Sequence, residues 1–485
     1  MGSRMSLLFA EHGLSVHFYD PSSANVLSLQ QQARDAKLES KLTHHRDYES
    51  LCRSLRSPKV FLFSTPHGSV ADKTIDSLEP FLAKGDLIMD AGNERWTETE
   101  RRQARLEKEG IHYIGMGVSG GYQSARRGPS ISPGGSKAAL DLAFPFLEMI
   151  AAKDKDGTPC VAKLGPRGCG HYVKMIHNGI EHGMMTALAE VWALMAQGMG
   201  LTFAAIADIF DSWNREGPLA DNFLLSIGAD ICRTKDPHTG RYVLENIRDK
   251  VVQDVDGSEG TGVWSCEEAI RLHEPAPTMI MAHLFRLASA DAAKREGLNK
   301  VFGGEVKPGK LSVDKTGFLK DLKAATYASI LASFVQGLHV LAKADAENGW
   351  NLNYVDVLQL WRAGCIIRSN RLTDMLRGVY TSPDVQPTNL LAHPTIASDL
   401  SKTYPSLKTA VLKGIEADMN VPTLAATLEY YKYSTYTDMP TSFQEAQMDY
   451  FGEHMFDLKS EEAGKPVTGK HHFEWKPARG IHEQD

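Results

Sequence analysis

The first third of the chain alternates short apolar runs with amphipathic segments. Four apolar runs predict β-strands, at Leu14–Tyr19, Val60–Phe63, Leu87–Met89 and Ile111–Ile114. Helical periodicity lies between them, as in Thr97–Glu109. Strands that alternate with helices in this way predict a parallel sheet with helices on both faces. Ligands of such sheets bind at the carboxyl ends of the strands, so the turns after each strand are candidate binding positions.

Beyond about Cys169, long helices replace this alternation. Residues 170–197 and 319–347 carry apolar positions at helical spacing. A weak internal repeat relates Gly200–Asn214 to Gly349–Arg362, because each has a glycine-led turn, an amphipathic helix and a tryptophan. The repeat predicts that this part of the chain consists of two related helical halves.

These changes of pattern divide the chain into three parts. We predict an α/β domain over 1–168, an all-helical domain over 169–430 and a tail over 431–485. The tail is rich in aromatic residues, which are enriched at protein interfaces. It is therefore predicted to dock on a partner subunit.

Composition narrows the class of protein. The chain has 485 residues, of which 42% are hydrophobic and 23% are charged, as in ordinary soluble globular proteins. Its 53 Lys and Arg against 60 Asp and Glu give a net charge of -7, which argues against a dedicated nucleic-acid binder. The uncharged stretch Val191–Ala207 is shorter than the ~20 apolar residues of a membrane span. It contains two glycines and predicts a buried helix pair broken at those glycines.

Cysteine usage and the amino-terminal residues point to a cytoplasmic protein. The six cysteines lie far apart and form no C-x-x-C pair, so they are predicted to be reduced thiols. No Cys or His cluster has zinc-ligand spacing, and no metal is predicted. The first ten residues lack a charged segment followed by a long apolar run, so no signal peptide is predicted.

One predicted helix places four polar side chains of different chemistry on one face. At about 100° per residue, all four project within about 100° of one another. An amine, an imidazole, an amide and a carboxylate in one stripe would supply a base, an acid and two orienting groups. The four are Lys174, His177, Asn178 and Glu181. A solvated polar face has the same spacing, so the spacing alone leaves both interpretations open. The glycines of this helix, Gly170, Gly179 and Gly183, indicate positions of close approach.

A series of ordered motifs resembles the 6-phosphogluconate dehydrogenase family over almost the whole chain. The motifs lie at 90–93, 117–121, 128–130, 133–135, 174–181, 260–264, 361–369 and 449–454. The resemblance implies a Rossmann-like dinucleotide-binding domain, followed by a large all-helical catalytic and dimerisation domain and a tail exchanged between the subunits of a homodimer. It also implies nicotinamide-dependent oxidative decarboxylation of a 3-hydroxy sugar acid.

By the same motifs, the resemblance implies a role for each candidate residue. Lys174 would be the base that takes the hydroxyl proton, and Glu181 the acid that protonates the enediol left after loss of CO2. The base must be neutral, which burial and a nearby positive charge favour. Residues implied to bind substrate are His177, Asn178, Asn93, Ser119, Gly120, Gly121, Thr261, Arg286 and His454. Residues implied to bind the cofactor are Gly2, Asp20, Pro21, Ser22, Ser64, Thr65, Pro66 and Asn93.

Two departures from the family's pattern concern the cofactor. The family opens with a strand and a glycine-rich turn, and here Met1–Ser3 match only the end of that turn, so the domain is expected to be incomplete at its amino terminus. At the end of the following strand, Asp20-Pro21-Ser22 stands where the family generally has Asn-Arg-Thr. A carboxylate accepts hydrogen bonds from ribose hydroxyls and repels a 2′-phosphate, so NAD is favoured over NADP. The alternative is that Asp20 only caps the following turn.

A third departure concerns the substrate. His182, Glu259 and Met448 stand where the family places a Tyr, a Lys and an Arg around the sugar phosphate, while Arg286 and His454 are kept. Fewer cations and an added carboxylate disfavour a dianion. We therefore expect a 3-hydroxy acid that is not phosphorylated, or one that is charged differently at its far end. The alternatives are an ordinary NADP-dependent 6-phosphogluconate dehydrogenase that tolerates the changes, and a non-catalytic binding protein.

Overall fold

The computed structural model describes residues 1–251, 260–304, 306–462, 464 and 469–477. The chain forms two compact units, 1–430 and 431–485. The strands are Val16–Phe18 (β1), Leu42–His44 (β2), Val60–Phe63 (β3), Leu87–Asp90 (β4), His112–Ser119 (β5) and Ser130–Gly134 (β6). The helices among them are Gly2–Glu11 (α1), Ser23–Asp35 (α2), Tyr48–Ser54 (α3), Ser69–Leu78 (α4), Trp96–Glu107 (α5), Gly121–Arg127 (α6) and Lys137–Ile150 (α7).

Helices dominate the rest of the chain. They are Cys169–Ala193 (α8), Phe203–Arg215 (α9), Phe223–Arg233 (α10), Thr261–Arg271 (α11), Pro277–Ala290 (α12), Ala292–Val301 (α13), Lys315–Asn348 (α14), Tyr354–Leu360 (α15), Asn370–Tyr380 (α16), Pro394–Glu416 (α17), Pro422–Thr435 (α18) and Thr441–Gly452 (α19). The predicted fold class, a parallel α/β sheet followed by a large helical region, is confirmed.

The strands form two sheets. β1 and β2 pair in parallel, and β3, β4 and β5 pair in parallel in that order. β6 adds an antiparallel edge to β5. The single parallel sheet predicted from the apolar runs is thus divided between β1 and β3. The run at Ile111–Ile114 continues to Ser119, so part of the predicted turn at 117–121 belongs to β5.

Helices cover both faces of the larger sheet, as the alternating pattern predicts. Leu87 and Met89 of β4 point into a core with residues of α1 and α7, whereas Ile88 between them joins a core with residues of α4 and α5. All four residues of β4 are buried. A strand buried on both faces reads as a continuous apolar run, which is why β4 was visible in the sequence.

The helical part is organised around α8 and α14, which pack closely through glycines. A Cβ on Gly183 of α8 would lie 2.3 Å from Ser333 Oγ, and one on Gly337 of α14 would lie 2.5 Å from Ile180 Cγ1. α14 is long and apolar enough to cross a membrane, but 94% of its apolar window is buried inside the protein. That burial is typical of the core helix of a soluble protein.

The repeat in the sequence corresponds to two similar helix starts. Gly200 and Gly349 both adopt positive φ angles, of 67° and 63°, and each precedes a new helix. The first of these helices, α9, has 13 residues and the second, α15, has seven. The uncharged stretch Val191–Ala207 contains the end of α8 and the start of α9, as predicted.

The second unit contains α19 and the segment after it. Asp449 of α19 is buried, and its carboxylate accepts hydrogen bonds from the Phe473 backbone N–H at 3.1 Å and from Trp475 Nε1 at 2.8 Å. His472 Nδ1 lies 3.0 Å from the same carboxylate, and these hydrogen bonds lower the pKa of Asp449 to about 2 against the effect of its desolvation. The carboxylate thus ties α19 to the end of the described tail.

Candidate active site

Small residues bring the amino-terminal end of α8 against the large sheet. A Cβ on Gly117 of β5 would lie 2.1 Å from Lys174 Cβ, and one on Gly170 of α8 would lie 2.4 Å from Gly115 O. No side chain fits at these distances, so glycine is required at these positions. The close approach places Lys174 beside the carboxyl-terminal part of β5. Gly170, Gly179 and Gly183 all mark close contacts, as their pattern in the sequence indicated.

Lys174, His177 and Asn178 form a buried polar cluster. Lys174 Nζ donates to Asn178 Oδ1 at 2.6 Å, and His177 Nδ1 lies 3.0 Å from the same oxygen. Asn178 Nδ2 donates to Thr261 Oγ1 at 2.8 Å, which fixes the orientation of the amide. The three side chains belong to residues that are 8%, 1% and 8% exposed. The interpretation of this stripe as a solvated polar face is therefore wrong.

The cluster assigns a protonation state to His177. Desolvation, and then the nearby charge of Lys174, hold the pKa of His177 well below 6.5, so the imidazole is neutral. Its Nδ1 proton is donated to Asn178 Oδ1, and its Nε2 accepts a hydrogen bond from Ser119 Oγ at 3.3 Å. The neutral ring thus connects α8 to the end of β5.

Glu181 and His182 follow one turn later on α8. Glu181 Oε2 lies 3.7 Å from His177 Nδ1, too far for a hydrogen bond, and its side chain is 21% exposed. His182 is buried and stacks on His283 of α12, with ring centroids 5.5 Å apart and planes 10° apart. Desolvation, followed by the charge of Arg286, lowers the pKa of His182 well below 6.5.

The turn after β5 has the backbone geometry that glycine permits. Gly120 and Gly121 have φ angles of 95° and 67°. A Cβ on Gly120 would lie 2.2 Å from Gly364 O, so a second motif of the helical region packs directly on this turn. Ser119, which precedes the turn, is buried and contacts His177. The sequence predicted this turn as a substrate-binding element, and the structure brings it to the polar cluster.

All the predicted cofactor residues except Asn93 line one cavity of about 860 Å³, which runs along β1 and β3 and includes the turns at their carboxyl ends. Gly2, Asp20, Pro21, Ser22, Ser64, Thr65 and Pro66 all contribute to its wall. This volume and this position at the strand ends fit a nicotinamide dinucleotide. Asp20 accepts hydrogen bonds from Ser22 N at 2.8 Å and from Asn25 Nδ2 at 3.2 Å, so its carboxylate also stabilises the turn before α2, whose cap is Ser22. Arg56, which the sequence did not single out, lines the same cavity.

A buried arginine that the sequence did not single out joins two of the predicted cofactor loops. Arg102 of α5 is fully buried and donates to Glu94 Oε2 at 2.6 Å, in the loop that carries Asn93. It also donates to Gly68 O at 2.9 Å, in the loop that follows Pro66. Glu94 Oε2 accepts in turn from the Gly68 backbone N–H at 3.0 Å. Both polar backbone groups of Gly68 are therefore held by this ion pair.

Asp72 connects that ion pair to the surface. Its carboxylate accepts from Arg102 Nη2 at 2.9 Å and from Arg101 Nη2 at 2.7 Å. Hydrogen bonding from Arg102, together with that from Arg101, lowers the pKa of Asp72 to about 2 against the effect of desolvation. Arg101 is half-exposed and contacts neither loop in these bonds.

Three predicted substrate residues are not placed beside this cluster. Glu259, which was expected to add a negative charge near the substrate, lies outside the described residues. Met448 and His454 belong to the second unit, in or just after α19. Among the described residues, no group of His, Cys, Asp and Glu side chains could hold a metal ion.

Comparison with protein families matches both parts of the chain. Residues 1–165 match the model described as the NAD binding domain of 6-phosphogluconate dehydrogenase. Residues 170–475 match the 6-phosphogluconate dehydrogenase C-terminal domain. Together these models cover nearly the whole chain, including the cavity and the polar cluster.

Individual relatives agree over the full length. The chain is 44% identical to the decarboxylating 6-phosphogluconate dehydrogenase of Emericella nidulans, over 99% of this chain and 100% of that protein. It is 34% identical to the NADP(+)-dependent decarboxylating enzyme of Bacillus subtilis, over 98% and 97%. The solved structure of the Plasmodium falciparum enzyme, studied with NADP+ and with 6-phosphogluconate, has a TM-score of 0.87 at 30% identity over 98% of both chains.

Proposed function

Because the chain belongs to the 6-phosphogluconate dehydrogenase family of decarboxylating, nicotinamide-dependent oxidoreductases, we propose that it oxidises and decarboxylates 6-phosphogluconate. The buried Lys174–Asn178–His177 cluster carries this proposal, because it offers a proton acceptor in a site that is shielded from water. The full-length similarity to the Emericella nidulans enzyme supports 6-phosphogluconate over the unphosphorylated acid that the sequence first suggested.

The proposed chemistry begins with proton transfer to Lys174. The C3 hydroxyl of the substrate gives its proton to Lys174 Nζ while its C3 hydrogen leaves as hydride, for which the nicotinamide, when bound, is the acceptor. Asn178 Oδ1 holds Nζ at 2.6 Å, so the lysine points to one position. The Lys174 amine must be deprotonated for this step, and burial of the kind seen at this residue disfavours the charged form of a lysine.

Decarboxylation follows at the same residues. The C1–C2 bond breaks, its electrons move into the C3 ketone, and Lys174 returns its proton to the ketone oxygen to give an enediol and CO2. Glu181 then protonates the terminal carbon of the enediol while the hydroxyl on the former C3 gives its proton back to Lys174, which yields the ketose product. Its partial exposure lets the carboxylate regain a proton from solvent. Ser119 and the Gly120–Gly121 turn would hold the substrate carboxylate, and Thr261 would keep the Asn178 amide in place.

Steady-state assays with Lys174→Met test this assignment. The variant should lose at least about 10²–10⁴-fold in kcat, as expected for removal of a general base, while its cofactor Kd is unchanged. Lys137→Met on the surface is the matched control and should keep full activity, because Lys137 is exposed and forms an ion pair with Asp141 one turn along its own helix. Near-normal turnover by Lys174→Met would refute the role of the lysine.

The identity of the substrate is tested by comparing 6-phosphogluconate with gluconate. We expect a kcat/KM for 6-phosphogluconate at least about 100-fold higher, since a phosphate adds charge-assisted hydrogen bonds to cations such as Arg286. A higher value for gluconate would restore the unphosphorylated acid as the substrate.

We propose that NAD is the preferred cofactor, because the Asp20 carboxylate lines the cavity where a 2′-phosphate of NADP would be repelled. The double variant Asp20→Asn, Pro21→Arg should shift the ratio of kcat/KM values towards NADP. A wild-type preference for NADP would show that Arg56 or another cation outweighs Asp20. A homodimer with exchanged tails and a cytoplasmic location stay predictions of the sequence.

A further inference from the structure

The motif at 361–369 of the helical region packs on the turn that is proposed to hold the substrate carboxylate. A Cβ on Gly120 would lie 2.2 Å from the carbonyl oxygen of Gly364. The same oxygen accepts a hydrogen bond from the Ser130 backbone N–H at 3.0 Å. A Cβ on Gly364 would itself lie 2.6 Å from Gly128 O. One residue of the motif therefore contacts the chain just before α6 and just after it.

Trp361, at the start of the motif, contacts another part of the substrate site. Its ring meets the His177 ring edge-on, with centroids 6.4 Å apart and planes 62° apart. Trp361 is buried and also packs on Phe334 of α14, with centroids 5.9 Å apart. Aromatic rings at these separations attract each other and prefer such tilted arrangements. The segment 361–364 thus touches both His177 and the turn after β5.

A buried ion pair fixes this segment to the α/β part of the chain. Arg362 Nε donates to Asp154 Oδ2 at 3.1 Å, and both side chains are 3% exposed. Gln359 Nε2 donates to the same oxygen at 3.1 Å, and Arg362 Nη1 also bonds Asp374 of α16. Desolvation would raise the pKa of Asp154, but the hydrogen bonds that it accepts, first that from Gln359, lower its pKa overall. The pair is therefore ionised at neutral pH.

The loop that carries Asp154 is itself bonded to β6 and to the residue before it. Ahead of Asp154, the Ala152 backbone N–H donates to Pro129 O at 2.9 Å. After it, Cys160 O accepts from the Ile131 backbone N–H at 3.1 Å. Asp154 thus lies in a loop that is held on both sides, and it gives Arg362 a fixed partner beside α6.

We propose that Arg362 is a positioning residue that holds the turn at 119–121 in place for the substrate carboxylate, through the segment 361–364. Its planar guanidinium bonds Asp154 and Asp374 at once, whereas a lysine has no such fork to span both carboxylates. This role rests on the proposed function, which places the substrate carboxylate at the turn. Loss of the guanidinium should therefore weaken the binding of carboxylate-bearing substrate and leave cofactor binding as it is.

Calorimetric titration of Arg362→Lys tests this role, because substrate and product of the proposed reaction differ in the carboxylate. 6-Phosphogluconate carries it, and ribulose 5-phosphate has lost it as CO2. The variant should bind 6-phosphogluconate with a Kd raised at least about tenfold, since small displacements of a positioned group cost one to two orders of magnitude. Its Kd values for ribulose 5-phosphate and for NAD should be unchanged, because neither ligand presents a carboxylate to the turn.

Two further variants complete the comparison. Arg377→Lys is the matched control, because its hydrogen bond in this network goes to Gln359 Oε1, at 2.7 Å, and it should bind every ligand as the wild type does. Asp154→Asn keeps an acceptor oxygen for Arg362 but removes the charge. It should raise the Kd for 6-phosphogluconate alone by at least about threefold, since a neutral acceptor makes the weaker bond. This variant decides the question if Arg362→Lys does not fold.

Amide hydrogen exchange of the ligand-free protein adds a readout that needs no substrate. Arg362→Lys should speed exchange in 119–127 at least about fivefold and leave α2 unchanged, because only the first of these segments is packed on the motif. Faster exchange there, with selective loss of 6-phosphogluconate binding, supports positioning. Equal losses for 6-phosphogluconate and ribulose 5-phosphate, or unchanged affinity for both, overturn it. If the wild type does not bind 6-phosphogluconate, the proposed function fails, and exchange in 119–127 alone decides whether Arg362 holds the turn.

Discussion

Replacing Arg102 by lysine should weaken cofactor binding far more than it slows turnover. The guanidinium holds the loop after β3, through Gly68, against the loop after β4, through Glu94. These loops carry Pro66 and Asn93, which are proposed to contact the cofactor. Lysine keeps the positive charge but lacks the planar fork that reaches both loops at once. Arg102 is thus a positioning residue, since it bonds Gly68 and Glu94 in the two loops and is not itself among the residues that line the cavity.

The expected cost follows from the bonds that lysine leaves unmade. A lysine ammonium can still pair with Glu94, and Asp72 keeps its bonds from Arg101 at 2.7 and 2.8 Å. The carbonyl of Gly68 then loses its buried donor, which costs about 1–3 kcal/mol in the free energy of unfolding. If about 1.4 kcal/mol of that cost must be recovered when cofactor binding orders the loops, the Kd rises about tenfold, since 1.4 kcal/mol is a factor of ten. A substitution that removes the positive charge would leave the buried carboxylates of Glu94 and Asp90 without a cation and would lower the free energy of unfolding by about 3–5 kcal/mol.

Isothermal titration of the cofactor and saturation kinetics separate the two effects. Arg102→Lys should show a Kd and KM for cofactor raised about tenfold, with kcat and the KM for substrate within about twofold of wild type. Arg101→Lys is the matched control, because that residue shares Asp72 but bonds neither loop, and it should leave all four constants unchanged. An unchanged cofactor Kd in Arg102→Lys, in a variant shown by denaturation to be destabilised, would refute the positioning role and leave Arg102 as a purely structural residue.

Three further predictions address other parts of the chain. Gly117→Ala should lower kcat at least about tenfold, because its Cβ would lie 2.1 Å from Lys174 Cβ. Gly378→Ala is the control and should keep the wild-type kcat, because its Cβ would meet no atom within 4 Å. Equal kcat values for the two variants would contradict the close approach of β5 and α8. Burial raises the pKa of Glu190 from 4.5 to about 7, so between these pH values the folded state binds a proton that the unfolded state does not. The free energy of unfolding should therefore fall by about 3 kcal/mol as the pH rises from about 4.5 to 7. Urea titrations should show this fall in the wild type and not in Glu190→Gln. Light scattering should give twice the mass of the chain, and deletion of residues 464–485 should weaken this dimer; a stable, active monomer would contradict tail exchange.

The parts of the fold that could be predicted are those that one run of residues determines by itself. Val60–Phe63 is a strand at the predicted bounds, because four consecutive apolar residues between polar ones suit a buried strand. The sequence did not predict β2 or β6 as strands, because their residues form neither an apolar run nor a strict alternation of apolar and polar positions. They become strands through pairing: β2 on β1, and β6 antiparallel on β5. Tertiary contacts therefore override weak local preference at these two positions.

The candidate site shows the same division. The face of Lys174, His177 and Asn178 followed from helical spacing, but its burial did not, since a polar stripe more often faces solvent. Arg102 was not found because Trp96–Glu107 is so rich in charged residues that it looks like a surface helix. Nothing in its own sequence separates the buried Arg102 from the half-exposed Arg101 beside it. Only the carboxylates that the fold brings from the neighbouring loops, at Asp72 and Glu94, distinguish the two.

The position of α8 explains why the proposed catalytic residues depend on two different packing surfaces. At one end, His171 Nδ1 lies 2.7 Å from Thr99 Oγ1 of α5, the helix that also carries Arg102, and Gly170 packs on β5. Further along, Gly183 packs on α14. Lys174 and Asn178 lie between these contacts, so a shift of either packing surface moves the proton acceptor. The glycines are therefore as necessary to the proposed chemistry as the polar side chains, because without them α8 could not lie against the sheet and α14 at once. Because α5 also carries Arg102, which bonds both proposed cofactor loops, its contact with α8 connects these loops to the helix that carries Lys174.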